Sequence, residues 1–217
     1  MTDESSIAIF RNGSELRTSG LSSFCQMEMR VSVVDPALVD EGEKFVRFVL
    51  RYLVRDGKQI SENDTLNYGY WQTKFMKASN ARDLLEVWER KPDGSSFTPG
   101  AQMAVMYWRD QHTVCGGADT AFEPPQADKL AAISEGVLEG EAVEGVRYPA
   151  PPHMSGWWFL TSRYKDDHDI VRPVHLYHVT AARPDLARFL ALPVGFVFRS
   201  DSSRVWYDRS VASQAIP

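Results

Sequence analysis

Hydrophobic and polar positions alternate over Phe24 to Val34, where Met27, Met29, Val31 and Val33 are interleaved with Glu28, Arg30 and Ser32. A period of two gathers the apolar set on one face, so the spacing predicts a half-buried strand. Upstream, Ile7 to Arg11 followed by Asn12-Gly13 predicts another strand entering a tight turn, because Asn-Gly tolerates the positive φ angles of hairpin turns. The period then changes. Val39, Gly42, Val46, Val49 or Leu50, and Leu53 recur at three and four, Asp35 offers an N-cap acceptor and Pro36 fits a first helical turn; these predict a helix from about Pro36 to Arg55, ended by Gly57.

The aromatic run Asn67 to Phe75 reads as a strand with a bulge or close backbone approach at Gly69. Ala81 to Arg90 reads as a short helix with Leu84, Leu85 and Trp88 on one side, stopped by the turn residues Lys91 to Ser96. Ala101 to Asp110 fits a buried strand or a helical turn, His112 to Cys115 a strand, and Gln126 to about Leu138 a helix. Gly140, Gly145, Pro149, Pro151 and Pro152 mark Glu139 to Pro152 as a linker. Beyond it the pattern predicts a strand at Trp157 to Thr161, a charged loop through Asp169, a strand at Val174 to Val179, a short helix at Pro184 to Leu190, and strands at Phe196 to Arg199 and Val205 to Asp208. No βαβ rhythm is present. The expected class is therefore α+β, with mixed or antiparallel sheets packed with a few helices in two small subdomains, residues 1–150 and 151–217.

Composition narrows the function. With 43% apolar and 12% aromatic residues in 217, the chain can bury a core, and no apolar run is long enough to span a bilayer. Its start, Met1 to Ser6, is acidic and polar, unlike a secretory signal, so the expectation is a cytoplasmic protein without membrane contact. A net charge of −5 argues against direct nucleic-acid binding, which needs clustered Lys and Arg. Cys25 and Cys115 lie far apart with no zinc-type histidines nearby, and read as reduced thiols.

Little in the chain reads as chemistry. Asp166-Asp167-His168-Asp169 has metal-binding residue types, but four adjacent side chains cannot converge on one ion, and a solvated loop is the simpler reading. His175 and His178, placed on a strand, point to opposite faces. Neither a Gly-x-Ser-x-Gly elbow nor a phosphate loop occurs. No catalytic residue, metal or cofactor is therefore expected. Two acidic segments remain, around Glu139 to Glu144 and Asp166 to Asp169; they are either plain solvent-facing loops or a negative surface that selects a positively charged protein.

The last quarter of the chain carries the most recognisable pattern. Ser155-Gly156-Trp157 opens an aromatic strand through Phe159 and Leu160; a loop with Asp166, Asp167 and Asp169 follows, then an Asp-Leu-x-x-Phe-Leu segment leads into Leu192, Pro193, Gly195 and Phe198. Over roughly the final 65 residues this resembles the immunity protein 33 domain family of bacteria. Met154 stands where the family pattern has an acid, and Arg163 and Lys165 join the acidic loop. The resemblance implies a non-enzymatic cytoplasmic immunity protein that neutralises a cognate secreted toxin; on charge, a nuclease with a basic substrate surface is the natural toxin class for an acidic inhibitor. The aromatic, Pro and Gly positions then serve as scaffold, and Glu141, Glu144, Asp166, Asp167 and Asp169 are the candidate toxin contacts. A hydrolase using His112 or His153 in a cleft between the two halves, and a toxin-loading adaptor or chaperone, are the alternatives.

Overall fold

The computed structural model describes residues 6–79, 81–165 and 170–214. The chain divides into two compact units, Met1–Lys91 with Ser95–Arg109 and Pro92–Gly94 with Asp110–Pro217. Each is built on its own mixed sheet, and the class is α+β.

The first unit begins with the expected hairpin: β1 (Ala8–Asn12) pairs antiparallel with β2 (Glu15–Ser19), and Gly13 takes φ +58° at the turn. After a single turn, α1 (Ser22–Cys25), comes β3 (Glu28–Ser32), with Met29 and Val31 buried. Asp35 then caps a 3-10 turn at Pro36–Leu38 by accepting from the Ala37 amide at 2.9 Å, and α2 (Val39–Leu50) follows, closing on a π turn over Arg51–Arg55. Phe45, Val46 and Val49 face the sheet. Gly42 sits at the tightest approach, since a Cβ there would lie 2.8 Å from both Leu16 and Val33.

The Asn67 to Phe75 run is two strands. β4 (Thr65–Tyr68) and β5 (Trp71–Lys77) form a hairpin turned by Gly69 at φ +61°. Residues 84–90 form β6 (Leu84–Arg90) where a helix was expected. Leu84, Leu85 and Trp88 satisfy a helical spacing, but Leu85, Val87 and Glu89 satisfy a period of two, and the strand's central place between β3 and β5 decides in favour of the second. With β7 (Phe97–Pro99) the strand order is β1-β2-β3-β6-β5-β4, and β7 lies on β6.

Helix α3 (Gln102–Gly117) replaces both the open alternative at Ala101 to Asp110 and the strand expected at His112 to Cys115. Its start is held from a distance. The carboxylate of Glu89, 4% exposed, accepts from the Ala104 amide at 2.9 Å, with the Met103 and Gln102 amides beside it. No local sequence signal announces such a cap.

In the second unit, β8 (Leu130–Ile133) stands where a helix was expected over Gln126 to Leu138. Its alanines favour helix, but Ala131, Ala132 and Ile133 are buried on both faces between two neighbouring strands, the pattern of a central strand. β9 (Glu144–Arg147) forms inside the segment read as a linker, and β10 (Met154–Leu160) follows. β11 (Arg172–His175) gives way at Leu176 to α4 (Leu176–Ala182), so the strand expected at Val174 to Val179 is half strand and half helix. Leu176, Val179 and Thr180 are buried at three- and four-residue intervals. A 3-10 helix at Pro184–Phe189, β12 (Phe196–Arg199), β13 (Val205–Tyr207) and α5 (Arg209–Ala212) complete the order β11-β8-β10-β9-β12-β13. No helix among the described residues is long and apolar enough to cross a membrane.

Burial raises the carboxyl of Glu89 above its ordinary value of 4.5, with the helix amides opposing the shift. The folded chain therefore holds this proton more tightly than the unfolded one, and the group's contribution to stability falls as pH rises above 4.5 through the raised value. Glu89→Gln removes that dependence. Urea unfolding from pH 4.5 to 7.5 is expected to show the variant gaining on the parent as pH rises; a constant difference contradicts the assignment.

Candidate functional site

The period of two along β10 sends its side chains to two faces with different fates. Ser155, Trp157 and Phe159 point into the core; Met154, Trp158 and Leu160 point the other way and are half-buried. On the core face, Trp157 donates its indole N–H to the Leu190 carbonyl at 3.0 Å and meets Phe198 edge-on at 5.5 Å. Phe198 stacks on Phe189 at 4.1 Å. It also covers its cross-strand partner Gly145, where a Cβ would lie 2.1 Å from the ring.

The Ser155-Gly156-Trp157 motif is a bulge. Pairing with β8 slips between Met154 and Trp158, Ser155 Oγ donates to the Leu130 carbonyl at 2.9 Å, and Gly156 takes φ +81°. A Cβ at Gly156 would stand 2.3 Å from the Tyr148 carbonyl oxygen, so the position excludes side chains twice over.

Arg147, which no sequence pattern singled out, ties the second motif to the first. Its side chain is buried beside Trp157, and its Nη1 donates to the carbonyls of Glu123 at 2.7 Å, Leu190 at 3.5 Å and Leu192. Its own carbonyl accepts from the Gly195 amide at 2.8 Å. Burial lowers its pKa to about 10, with Glu123 opposing, so the group is still charged at neutral pH. Arg183 does similar work nearby, donating to the Val137 and Glu141 carbonyls and gripping Asp185 of the Asp-Leu-x-x-Phe-Leu segment through two bonds.

The opposite face of the sheet is only partly covered. Val146 and Val197 pack under Val211 of α5, with Tyr148 and Trp206 against them. Beyond Val211 lies a cavity of about 830 Å³ lined by Tyr148, Trp158, Tyr164, Met154, Leu160 and the Pro149–Pro151 turn, with Glu144, Arg199 and Asp201 among its polar groups. Tyr148 and Trp158 meet edge to face at 5.8 Å. Glu144 and Arg199, cross-strand partners, form an ion pair at 3.0 Å whose side chains are 39% and 58% exposed, so the cavity communicates with solvent. The phenol of Tyr148 is pushed up by burial and then by Tyr164, Asp208 and Glu144.

The sequence-derived contact residues fare differently. Glu144 lines this cavity. Glu141 lies back across Gly136 and pairs with Arg163, which also reaches Glu135 at 2.8 Å. Asp166, Asp167 and Asp169 fall outside the described residues. Tyr148, Trp158, Tyr164 and Asp201 were missed, although the alternation through Met154 to Leu160 already set Trp158 opposite Trp157.

The histidines among the described residues are spread over separate places in the fold. His112 stacks on Phe122 at 3.8 Å; Cys115, one turn on, is buried with its thiol pushed up to about 11 by desolvation, which suppresses thiolate. His153 is exposed in the turn before β10. His175 ends β11 with Nδ1 2.6 Å from the Asp128 carbonyl, and His178 lies on α4, the rings 6.3 Å apart. Among the described residues, no three His, Cys, Asp or Glu side chains are grouped to hold a metal.

Residues 110–208 match the family model of the Imm33-like domain. The matched segment starts where the main part of the second unit starts, at Asp110, and takes in the helix end, β8 and β9 as well as the Ser155-Gly156-Trp157 bulge and the Leu190 to Phe198 segment. The carboxy-terminal part of the chain is thus similar to the Imm33-like domain, in agreement with the resemblance read from the sequence. No curated protein and no solved structure matches the chain.

Two substitutions probe this scaffold. Gly156→Ala is expected to cost about 1–3 kcal/mol from backbone strain alone, with the clash on Tyr148 added. Arg147→Met leaves carbonyls of Glu123, Leu190 and Leu192 without their donor and should cost roughly 3 kcal/mol or more, with Arg147→Lys between it and the parent. Urea unfolding curves measure both; parent-like midpoints refute the assigned roles.

Proposed function

We propose that this protein is an immunity protein that neutralises a cognate bacterial toxin in the cytoplasm by direct, stoichiometric binding. The observation that carries the reading is the Imm33-like match over residues 110–208. The physical setting supports it. The buried polar side chains of the second unit are engaged in holding its backbone, and Cys115 beside His112 is a protonated thiol, which disfavours the hydrolase alternative at that pair. Inhibition then needs only a surface. We place Glu144 on it, with Glu141, Asp166, Asp167 and Asp169 as further contacts, and the toxin as a nuclease whose basic substrate surface suits an acidic inhibitor of net charge −5.

Co-expression with the toxin-like reading frame beside this gene tests the reading. Growth rescue and a one-to-one complex burying on the order of 1,200–2,000 Å² are expected, with toxin activity abolished in the purified complex. A complex in which the toxin remains active marks an adaptor instead. Absence of rescue together with no co-purification at micromolar concentration overturns the proposal.

A further inference from the structure

We propose that the toxin docks by inserting an arginine side chain into the cavity on the second face of the carboxy-terminal sheet, between the rings of Tyr148, Trp158 and Tyr164 and against the carboxylate of Asp201. This rests on the immunity reading and names the surface and partner chemistry it uses.

Three observations lead there. The first is the exposure of aromatic surface. Trp158 and Tyr148 are half-buried on a sheet whose other face buries Trp157 and Phe159 completely, and α5 closes only the Val146–Val197 part of their face. Rings left at the mouth of a cavity, with no helix over them among the described residues, are the composition of an interface anchor site.

The second is charge. Of the charged lining groups among the described residues, Glu144 and Asp201 are acidic and Arg199 is basic. Arg199 is committed to Glu144 at 3.0 Å, whereas Asp201 enters no ion pair among the described residues. Asp208 and Glu144 also bear on the Tyr148 phenol, so the local field favours a cation.

The third is shape. A volume of about 830 Å³ falls within the roughly 300–1,000 Å³ of pockets that take a drug-sized ligand, ample for a long side chain and its flanking residues. A guanidinium suits these walls better than an ammonium. Its flat, weakly hydrated face stacks on aromatic rings, and its fork of donors matches one carboxylate.

The test has two arms, both on the full chain. In the first, N-acetyl-arginine methylamide is titrated in, followed by tryptophan fluorescence and the indole resonance of Trp158. A dissociation constant in the millimolar range is expected, about tenfold tighter than for the neutral isostere N-acetyl-citrulline methylamide, with Asp201→Asn and Trp158→Leu each weakening it about tenfold. Equal binding of the two probes overturns the proposal. In the second arm, the same variants are assayed against the neighbouring toxin, where a loss of at least about 100-fold in affinity is expected. Asp201→Asn changes an exposed residue, so it stays informative if Trp158→Leu unfolds.

The failures separate. If the parent neutralises the toxin and the variants do so equally well, the immunity reading stands and this docking surface falls. If the parent does not neutralise it but still prefers the arginine probe, the immunity reading falls, the occupant is a free small cation, and the proposal as stated falls with it. A dimer in sedimentation that the probe disperses identifies a second copy as the occupant and likewise overturns it.

Discussion

The meeting of the two sequence motifs in the second unit depends on a buried cation bonded to carbonyls, Arg147. Arg147 is 9% exposed, and its guanidinium is bonded to the backbone of Glu123, Leu190 and Leu192. A desolvated charge is tolerated only where dipoles replace water, so these carbonyls must be brought to it. That requirement draws the Leu190 to Gly195 segment against the end of β9. With the Gly195 amide returned to the Arg147 carbonyl, the following residues enter the sheet in the register that sets Phe198 over Gly145.

One face of the sheet is thereby fixed in detail. The Leu190 carbonyl receives both the Trp157 indole N–H and the Arg147 guanidinium, so the two sequence motifs meet at a single acceptor. The glycines serve the same closure. Gly145 makes room for a ring, and Gly156 makes room for the backbone of Tyr148. Most of the motif residues are therefore occupied in packing, which is why their pattern is recognisable and why it contains no reactive group. The consequence is a closely packed platform, and a preorganised surface is one that loses little entropy in any binding.

Legibility in the sequence followed the range of the forces involved. The hairpin at Asn12-Gly13, the alternation through Met29 and Val31, and the capped helix after Asp35 were readable because each is set by neighbours within a few residues. Others were not, among them three whose reasons are physical. β6 satisfied two periods at once, β8 was spelled in alanines, and α3 draws its cap from Glu89 on a strand; each was decided by tertiary partners. Arg147 left no trace, since a buried arginine bonded only to carbonyls has no partner side chain whose spacing could reveal it; Arg183 does pair with Asp185 two residues on, but its bonds to the Val137 and Glu141 carbonyls are as silent in sequence. Trp158 was readable from the strand's alternation, yet it stood next to Trp157 and was passed over.

The acidic residues show why charge counted along a chain differs from charge presented in space. Glu141 and Glu144 look alike in sequence, three positions apart in one segment. Glu141 is folded back on Gly136 and held by Arg163, and its backbone carbonyl holds Arg183, so its charge is spent within the scaffold. Glu144 stands on a strand at a cavity mouth, paired with an Arg199 that is mostly exposed. An exposed pair of this kind contributes little to folding, about 0–1 kcal/mol, so Glu144 is not held there for stability. Glu144 and Asp201, which enters no ion pair among the described residues, thus line one cavity together with aromatic rings and add negative charge to it. The residue type alone predicts neither behaviour; the face of the strand does.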